Sequence, residues 1–370
     1  MEIRITRQEA ADWKIPEAWN VVDERGCTVS GAGVSTVDSW LGRSFVRTNI
    51  VGGVATPPEH RRRGYVRQLF DEIFEKAPEY GWTVSLLHPF SFSYYRQFGY
   101  ERVGDHRILT FPMRALEFIP RYKDFEPLGE HAGEAIALFN EWARGRNISF
   151  RRGGSLFAQD CFGDHGASVY TVRENGVMTG YAAVAVQNHL NVNHMEGDYL
   201  HVHELVYRDR EALYKLLGLL RMFDGQSDVV RIHNCAMAPE IELTLRHYTH
   251  TRIEVLPDIM ARALDLPALL EQNVWPEESG GFVIRVEDSL PRVGGVWQAE
   301  YGNGGCEIRR ADGKTPSATF TAASVMPLLY GYEAYSEELL RYAPGVQVDG
   351  DVRDLVRAFP KRNCGLYEHF

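Results

Sequence analysis

The chain has 370 residues, of which 44% are hydrophobic and 24% are charged, and its net charge at pH 7 is −10. This composition excludes a disordered chain, and the length predicts two or three domains. The negative charge argues against nucleic acid or an anionic membrane as a partner, whereas an excess of carboxylates suits a cationic substrate such as an amine.

No stretch is long and apolar enough to span a bilayer, and the amino-terminal residues lack the apolar run of a signal peptide. The five cysteines are scattered and form no CxxC pair. That pattern indicates a reducing compartment rather than a disulfide framework or a zinc ribbon. We therefore expect a soluble, cytoplasmic protein that has no membrane partner.

The first segment, residues 1–122, alternates strand and helix patterns. One short helix is predicted at Glu9–Asn20. The following elements are strands at Cys27–Val37 and Ser44–Ala55, a helix at Arg62–Lys76, a strand at Thr83–His88, a helical turn at Phe92–Phe98 and a strand at Arg102–Phe111. Strand and helix in alternation predict an α/β unit.

The second segment, residues 123–270, repeats this order. It begins with a helix pattern at Glu130–Arg144, and Asn175–Gly176 is a strong signal for a hairpin turn. The other predicted elements are strands at Ser168–Arg173, Val177–Val186 and Leu200–Tyr207, a helix at Arg210–Phe223 and a strand at Val229–His233. We interpret the two segments as related α/β units in tandem.

The third segment, residues 271–370, begins with a polar linker that contains Pro and Gly, at Gln272–Gly281. Its predicted strands are Phe282–Val286, Val296–Tyr301, Cys306–Arg309 and Ser317–Thr321, and its predicted helices are Ala322–Tyr330, Glu337–Tyr342 and Val352–Phe359. This pattern predicts an α+β domain with its helices on one face. The expected fold class is therefore two α/β units followed by an α+β domain.

The stretch Val51–Gly64, which reads VGGVATPPEHRRRG, runs from a strand through a basic loop into a helix. Amide groups at a helix start are unpaired and carry partial positive charge, which makes that end an anion site. Arg61, Arg62 and Arg63 add donors suited to phosphates. Gly64 permits a ligand to approach the main chain closely, so a pyrophosphate would explain all of these features.

The competing interpretation of this stretch is a solvated basic helix start. Cations at that end oppose the helix dipole by roughly 0.3–1 kcal/mol each, so a purely structural helix favours Asp or Glu there. A bound anion explains why this helix start carries basic rather than acidic side chains, and solvation does not.

Arg61-x-x-Gly64 after a Val-rich strand resembles the cofactor motif of GNAT-type N-acetyltransferases. The string from Val54 to Gly64, with Tyr95-Arg-Gln-Phe-Gly-Tyr100 after it, is similar to the enhanced intracellular survival (Eis) family of acetyltransferases. That resemblance implies two tandem GNAT-like units, at 1–122 and 123–270, and a sterol-carrier-protein-like domain at 271–370. It also implies acetyl-CoA as co-substrate, a hexameric homo-oligomer, and acetylation of amines, with aminoglycosides as acceptors in some members.

The resemblance implies roles for particular residues. The expected cofactor-binding residues are Val54, Thr56, Arg61, Arg62, Arg63 and Gly64. The first two would hold the pantetheine arm through their backbone groups, as an added strand, and the others would hold the pyrophosphate. Tyr95 matches the catalytic tyrosine, a general acid, and the terminal carboxylate of Phe370 matches the base. Tyr94 is the alternative acid, because only one of two adjacent tyrosines would face the sulfur.

Histidine pairs at His201 and His203 and at His247 and His250 have spacings that permit a metal. No cysteine or paired carboxylate completes either set, so we expect no metal. Candidates for an amine pocket are Asp38, Trp40, Glu204 and Glu368, and His88 ends a strand near the expected cleft.

The second unit lacks an Arg-x-x-Gly string at its strand–helix junction. Tyr207–Arg210 stands there instead, and Asp209 has the wrong charge for a pyrophosphate, so we expect this unit to bind no coenzyme. One short helix is predicted before the first unit's cofactor strand, where the family has two. The acceptor therefore stays open among aminoglycosides, polyamines and protein lysines.

The favoured function is direct acetyl transfer to an amine, and no GxSxG elbow suggests a covalent route. The rival, from another class, is a non-catalytic lipid-binding or scaffold protein that retains the fold. The intact loop at Arg61–Gly64, Tyr95 and a free terminal carboxylate favour the enzyme, because a scaffold has no need of all three.

Overall fold

A computed structural model describes residues 4–9, 16–153, 166–187, 199–245 and 249–368 of the protein. Within them the strands are β1 (Arg4–Glu9), β2 (Glu17–Val22), β3 (Thr28–Leu41), β4 (Ser44–Ala55), β5 (Val84–Leu87), β6 (Glu101–Pro112), β7 (Phe125–Pro127), β8 (Arg146–Asn147), β9 (Ser168–Glu174), β10 (Val177–Gln187), β11 (Tyr199–Tyr207), β12 (Val229–Ile232), β13 (Arg252–Ala263), β14 (Gly280–Glu287), β15 (Gly295–Gly302), β16 (Gly305–Arg310), β17 (Ala318–Thr321), β18 (Val346–Val348) and β19 (Asn363–Cys364). The α-helices are α1 (Tyr65–Glu75), α2 (Ala77–Tyr80), α3 (Phe92–Arg96), α4 (Ala132–Trp142), α5 (Arg210–Leu220), α6 (Glu240–Thr244), α7 (Leu266–Glu271), α8 (Met326–Leu329), α9 (Glu337–Leu340) and α10 (Arg353–Ala358).

One sheet of 12 strands runs through the first two segments, in the order β1-β2-β3-β4-β5-β13-β6-β12-β11-β10-β9-β7. β6 joins the two halves, because it pairs antiparallel with β12 on one side and with β13 on the other. β4 and β5 are parallel, and so are β11 and β12. A helix lies in each of these two connections, α1 in the first and α5 in the second, as a parallel crossover requires.

β13 is a long strand that the sequence analysis does not predict. It belongs to the second segment, yet it lies between β5 and β6 of the first and pairs antiparallel with both. The register with β6 shifts between Pro257 and Ile259. Proline cannot donate to a strand ladder and is confined to edges, strand starts and bulges, which is why the sequence argues against a strand here.

The helix expected at Glu9–Asn20 is wrong over its second half. Glu17–Val22 forms β2, which pairs antiparallel with β1 and β3, and residues 10–15 lie outside the described part of the chain. Trp19 and Val21 are both fully buried. A spacing of two residues between buried side chains is that of a strand face, not of a helix face.

The hairpin predicted at Asn175–Gly176 is confirmed, and it joins β9 to β10. Asn175 has φ 51° and Gly176 has φ 81°, as a two-residue type I′ turn requires. The helices predicted at Glu130–Arg144 and Arg210–Phe223 are present as α4 and α5, the latter continued by a 3-10 turn. In the described ranges, the helices are all too short or too polar to cross a bilayer.

The third segment forms a separate sheet of 5 strands, in the order β16-β15-β14-β17-β18. Its apolar residues share one hydrophobic core with the first segment, where Ile284 and Phe320 belong to the same buried cluster as Ile50. The Tyr332 hydroxyl also donates a 2.7 Å hydrogen bond to Asp105 Oδ2 of β6. The third segment is therefore packed against the first rather than tethered beside it.

Candidate active site

A groove of about 890 Å³ opens where β4 ends and α1 begins. It is lined by all of the residues predicted to bind the cofactor, namely Val54, Thr56, Arg61, Arg62, Arg63 and Gly64. Arg67, Phe90, Tyr94 and Phe98 lie on the remaining wall. The fold thus brings the whole predicted set to one concave surface.

The sheet opens on one side of this groove. β4 pairs with β5 only at Thr48–Ile50, but it continues to Ala55, which still pairs with β3. The backbone edge of Val51–Ala55 that faces β5 therefore has no strand partner among the described residues. Thr56 follows this edge, and its Oγ1 atom lies 2.8 Å from Ser30 Oγ on β3.

The loop before α1 places two residues in the left-handed region, Arg62 at φ 61° and Gly64 at φ 79°. That conformation costs roughly 1–2 kcal/mol for a residue with a side chain, so Arg62 is held under strain. Gly64 is the N-cap of α1, and in the described chain no side chain caps this end and its first turn has no acidic residue. The amides at the start of α1 are therefore available to an anion.

The groove is strongly basic. Arg61 Nε donates to the Thr56 carbonyl oxygen at 3.0 Å, and Arg63 Nη2 donates to the Glu59 carbonyl oxygen at 3.0 Å, which orients both side chains. Together with Arg62 and Arg67 they line the groove, and its described lining contains no carboxylate. Four guanidinium groups without a counter-charge on the wall favour a polyanionic ligand.

The two candidate tyrosines are on α3, and they face different surroundings. Tyr94 is half-buried and lines the groove. Tyr95 is only 3% exposed, and its ring packs against Phe70, Phe90 and Tyr100. Burial, with a smaller effect of Tyr94, raises the pKa of Tyr95 to about 12. Tyr95 remains the predicted acid, and Tyr94 is the tyrosine that the structure places at the groove.

The terminal carboxylate of Phe370 lies outside the described residues, which end at Glu368. The chain just before it is docked, because β19 pairs with β8 and both Leu366 and Glu368 are buried. Glu368 and Glu204, two candidates for the amine pocket, meet at the side chain of Arg152, which donates to each at 2.7 Å. Both carboxylates are predicted from the sequence as amine-pocket candidates, whereas the arginine between them is not.

The other two amine-pocket candidates are Trp40 and Asp38. Trp40 is buried, and its Nε1 atom donates to the Gly42 carbonyl oxygen at 2.8 Å. The backbone carbonyl oxygen of Asp38 accepts a hydrogen bond from the Arg151 amide. Neither Trp40 nor Asp38 is among the described residues that line the groove. His88 Nδ1 lies 2.8 Å from Asp258 Oδ1, across β5 and β13.

Three imidazoles form a row, from His106 on β6 through His233, which directly follows β12, to His201 on β11. His106 Nε2 lies 3.2 Å from His233 Nδ1, and His233 Nε2 lies 3.0 Å from His201 Nδ1. Burial, reinforced by the neighbouring histidines, lowers the pKa of His233 to about 3 and also lowers that of His106. The described part of the chain holds no group of three or more His, Cys, Asp or Glu placed for a metal, and His247 lies outside it.

Residues 7–103 match the model of the acetyltransferase (GNAT) domain. No curated protein is a significant match to the chain. Among solved structures, a probable N-acyltransferase from Enterococcus faecalis is 17% identical with a TM-score of 0.83, and all of both chains is covered. A GCN5-related N-acetyltransferase from Kribbella flavida is 21% identical with a TM-score of 0.78, covering 95% of this chain and 88% of that one.

Eis1 from Mycobacterium abscessus is 17% identical to this chain with a TM-score of 0.79, and all of both chains is covered. At such identities the likeness establishes a shared fold. The sequence match to the acetyltransferase domain covers the strand, loop and helix that form the groove. The chain therefore contains a GNAT acetyltransferase domain at residues 7–103, and it resembles Eis1 in fold over its whole length.

Proposed function

We propose that the groove binds acetyl-CoA, with the pantetheine arm along β4 and the pyrophosphate at the loop before α1. The unpaired edge of Val51–Ala55 offers backbone donors and acceptors to an extended arm, and Val54 and Thr56 line the groove there. The arginine side chains, the uncapped amides of α1 and the bare backbone at Gly64 suit a pyrophosphate. The shape, charge and backbone of the site thus fit this substrate.

The proposed reaction is direct transfer of the acetyl group to an amine. The bound thioester supplies the acetyl group: a bond forms between the amine nitrogen and the carbonyl carbon, and the carbon–sulfur bond breaks. Tyr95 donates its phenolic proton to the leaving thiolate, and the terminal carboxylate of Phe370 accepts the proton that the amine releases. Exchange of protons with solvent then returns both groups to their starting forms.

The acid step is chemically reasonable. The raised pKa of Tyr95, about 12, keeps the phenol protonated at neutral pH. Transfer to a thiolate of pKa about 8.5 is uphill, and a hydrogen bond that strengthens as charge develops on sulfur offsets part of that cost.

In the base step, the pKa of the carboxylate is far below that of the amine whose proton it accepts. A carboxylate of pKa about 3.5 and an alkylammonium of pKa about 10.4 differ by roughly 9 kcal/mol in proton affinity. Burial raises the pKa of a carboxylate, and repulsion between the charges of a polyamine lowers the pKa of its ammonium groups, so both effects narrow such a gap. We propose that the Phe370 carboxylate orients the amine and takes its proton late in the reaction.

The acceptor is proposed to be a cationic amine, such as an aminoglycoside, a polyamine or a protein lysine, which agrees with the net charge of −10. Likeness to Eis1 in fold supports two GNAT-like units, at 1–122 and 123–270, and a sterol-carrier-protein-like domain at 271–370. We propose that the protein works in the cytoplasm as a homo-oligomer, a hexamer.

The observation that carries the proposal is the groove with four arginines and no described carboxylate on its wall, beside an unpaired strand edge. Isothermal titration of acetyl-CoA into the wild type and an Arg62→Glu, Arg63→Glu variant tests it. A matched control is Arg208→Glu, Arg210→Glu, which reverses two exposed charges at the start of α5.

We expect saturable binding that is lost in the first variant and kept in the control. No binding by the wild type would remove the basis of the proposed enzyme site and favour a lipid-binding or scaffold protein. Binding that survives the Arg62→Glu, Arg63→Glu change would place the pyrophosphate elsewhere.

A further inference from the structure

The second segment has a cavity of its own where β11 ends and α5 begins. Its volume is about 640 Å³, and small-molecule sites usually measure roughly 300–1,000 Å³. The groove of the first segment has the corresponding position, where β4 leads into α1. The described walls of the two share no residue, and those of the cavity all lie outside residues 7–103. A ligand in the cavity would therefore be separate from acetyl-CoA.

The start of α5 does not offer this cavity a phosphate site. Asp209 is the N-cap of α5, and its Oδ1 atom accepts the Ala212 amide at 2.9 Å. That bond, with a smaller effect of Arg208, lowers the pKa of Asp209, so the helix start already holds a carboxylate. A polyanion at the same amides would be repelled. A ligand of the cavity must therefore differ in charge from a pyrophosphate.

The indole of Trp142 gives the cavity a buried hydrogen-bond donor. Trp142 is only 5% exposed and lines the cavity, and its Nε1 atom has no acceptor among the described residues. A buried donor without a partner is destabilising, so an acceptor supplied by a ligand would be favourable. The Arg146 guanidinium lies 3.9 Å from the centroid of the Trp142 ring, which brings further donors to the same wall.

Arg146 carries a charge that its neighbours compensate incompletely. Its side chain is 15% exposed, and its Nε atom donates to the Met237 carbonyl oxygen at 2.7 Å. Its Nη2 atom is 3.6 Å from Glu240 Oε1, an ion pair beyond hydrogen-bond distance. Burial lowers the pKa of Arg146 despite the attraction of Glu240. A carboxylate close to Nη2 would stabilise this charge, because a guanidinium matches that group in geometry.

The charge on the cavity wall fits one carboxylate and not several phosphates. Four arginines and three acidic residues line the described wall, which leaves one positive charge in excess. The groove of the first segment, by contrast, has four arginines and no described carboxylate. A monoanion would neutralise the excess, whereas a polyphosphate would bring like charges together.

Much of the remaining wall is apolar. Leu138, Leu213 and the ring of Tyr214 line the cavity, and so does Leu243, which is 82% exposed. Covering an exposed leucine with an apolar group is favourable because it removes apolar surface from water. We therefore expect a ligand with an apolar body beside its anionic group.

We propose that this cavity of the second segment binds a monocarboxylic acid with an apolar body, whose carboxylate accepts hydrogen bonds from Arg146 and from Trp142 Nε1. The apolar body packs against Leu213 and Leu243. A fatty acid and an aromatic acid share this chemistry. The inference does not depend on the acetyl-transfer reaction, and it gives the second segment a ligand that is not a coenzyme.

The test is calorimetric titration of octanoate and of hydrocinnamate into the full chain. Octanol and hydrocinnamyl alcohol, which have the same bodies without the carboxylate, are the ligand controls. We expect one saturable site for at least one acid, with an affinity at least about 10-fold above that of its alcohol. The acid that binds more tightly shows whether the body is aliphatic or aromatic. No saturable binding of either acid, or equal binding of acid and alcohol, would overturn the proposal.

The first groove is also basic, so the site of binding has to be established. The Arg62→Glu, Arg63→Glu variant should bind the acids as the wild type does. Loss of acid binding in that variant would place the carboxylate in the first groove and not in the cavity of the second segment.

Two further variants locate the carboxylate. Arg146→Lys keeps a positive charge but not the planar guanidinium, and it should weaken acid binding about 10-fold. Glu240→Gln keeps an acceptor for the Tyr207 hydroxyl and removes a competing carboxylate. It should therefore strengthen binding of the acids and leave binding of the alcohols unchanged. Unchanged acid affinity in both variants would show that the carboxylate is not at Arg146.

Leu243→Glu changes the wall without altering a buried group, so the variant is expected to fold. Its carboxylate should weaken acid binding at least about 10-fold by repulsion. Leu339→Glu is the matched control, because Leu339 is a 55% exposed leucine on α9 of the third segment. Its acid affinity should equal that of the wild type, and equal losses in the two variants would contradict the site.

Nuclear magnetic resonance tests the proposed hydrogen bond directly. The indole N–H resonance of Trp142, identified by its absence in Trp142→Phe, should shift when the bound acid is added to the wild type. The corresponding alcohol should shift it less. A resonance that does not move at saturating acid would overturn the position assigned to the carboxylate.

Discussion

Tyr94 and Tyr95 meet edge to face, with ring centroids 5.3 Å apart and ring planes at 88°. This contact lets one tyrosine line the groove while the other packs in the core behind it. The phenols are adjacent in sequence but differ in exposure, and that difference makes their roles separable by mutation.

Tyr95→Phe is expected to lower kcat by about 100-fold, the lower end of the range for loss of a general acid, and to leave the KM for acetyl-CoA unchanged. The ring that packs against Phe70 and Phe90 is retained, so the fold should persist. Steady-state kinetics beside Tyr94→Phe decide the assignment. A large loss in Tyr94→Phe and a small one in Tyr95→Phe would make Tyr94 the acid.

Gly64→Ala should weaken acetyl-CoA binding, and Gly176→Ala is its matched control. Both glycines have positive φ, 79° and 81°, and at both an added Cβ meets no atom within 4 Å. Each substitution is therefore expected to cost roughly 1–2 kcal/mol of stability through backbone strain alone. Calorimetric titration should show weaker binding only for Gly64→Ala, and equal affinities would mean that no pyrophosphate lies against this residue.

Asp209→Ala should destabilise the protein by about 0.5–2 kcal/mol, because it removes the side chain that caps α5. Asp209→Asn keeps an acceptor for the Ala212 amide and serves as control. Urea unfolding measures the difference. Acetyl-CoA should still bind at a single site in Asp209→Ala, and the appearance of a second site would contradict the expectation that the second segment binds no coenzyme.

The protein is expected to lose stability as the pH falls from 7 to 5, partly because of His233. Its folded pKa, about 3, is below the ordinary value of 6.5, so the unfolded chain binds the proton first. The stabilising effect is present above pH 6.5 and declines below it. The groups facing His233 are His106, His201, His203 and Arg231, all of which oppose its protonation.

His233→Asn should therefore flatten the dependence of the free energy of unfolding on pH between 7 and 5. His131→Asn, which changes an exposed histidine outside the imidazole row, is the control for the substitution itself. Denaturant titrations at several pH values give the slopes. The same slope in His233→Asn and wild type would show that the imidazole row does not govern acid sensitivity.

Much of the candidate site could be predicted from the sequence because its parts are close together along the chain. The loop from Arg61 to Gly64 follows its strand directly and begins its helix directly, so charge and backbone freedom mark it without any tertiary contact. The hairpin at Asn175–Gly176 is predictable for the same reason, since the turn chemistry is contained in two residues.

Other features depend on pairings between distant parts of the chain. β13 enters the sheet between β5 and β6 although Pro257 weakens its strand pattern, because neighbours on both sides supply hydrogen bonds that local propensity does not show. The exposures of Tyr94 and Tyr95 are likewise decided by where α3 packs, and no pattern in the pair itself distinguishes them.

By itself the sequence determined the basic loop at Arg61–Gly64 and the strand and helix that flank it. Only the tertiary structure decided that Arg152 would meet Glu204 and Glu368, which are 52 and 216 residues away, and that His106, His233 and His201 would form a row. Backbone preferences and capping act over a few residues, whereas contacts such as these form only after long loops close and distant strands take their register.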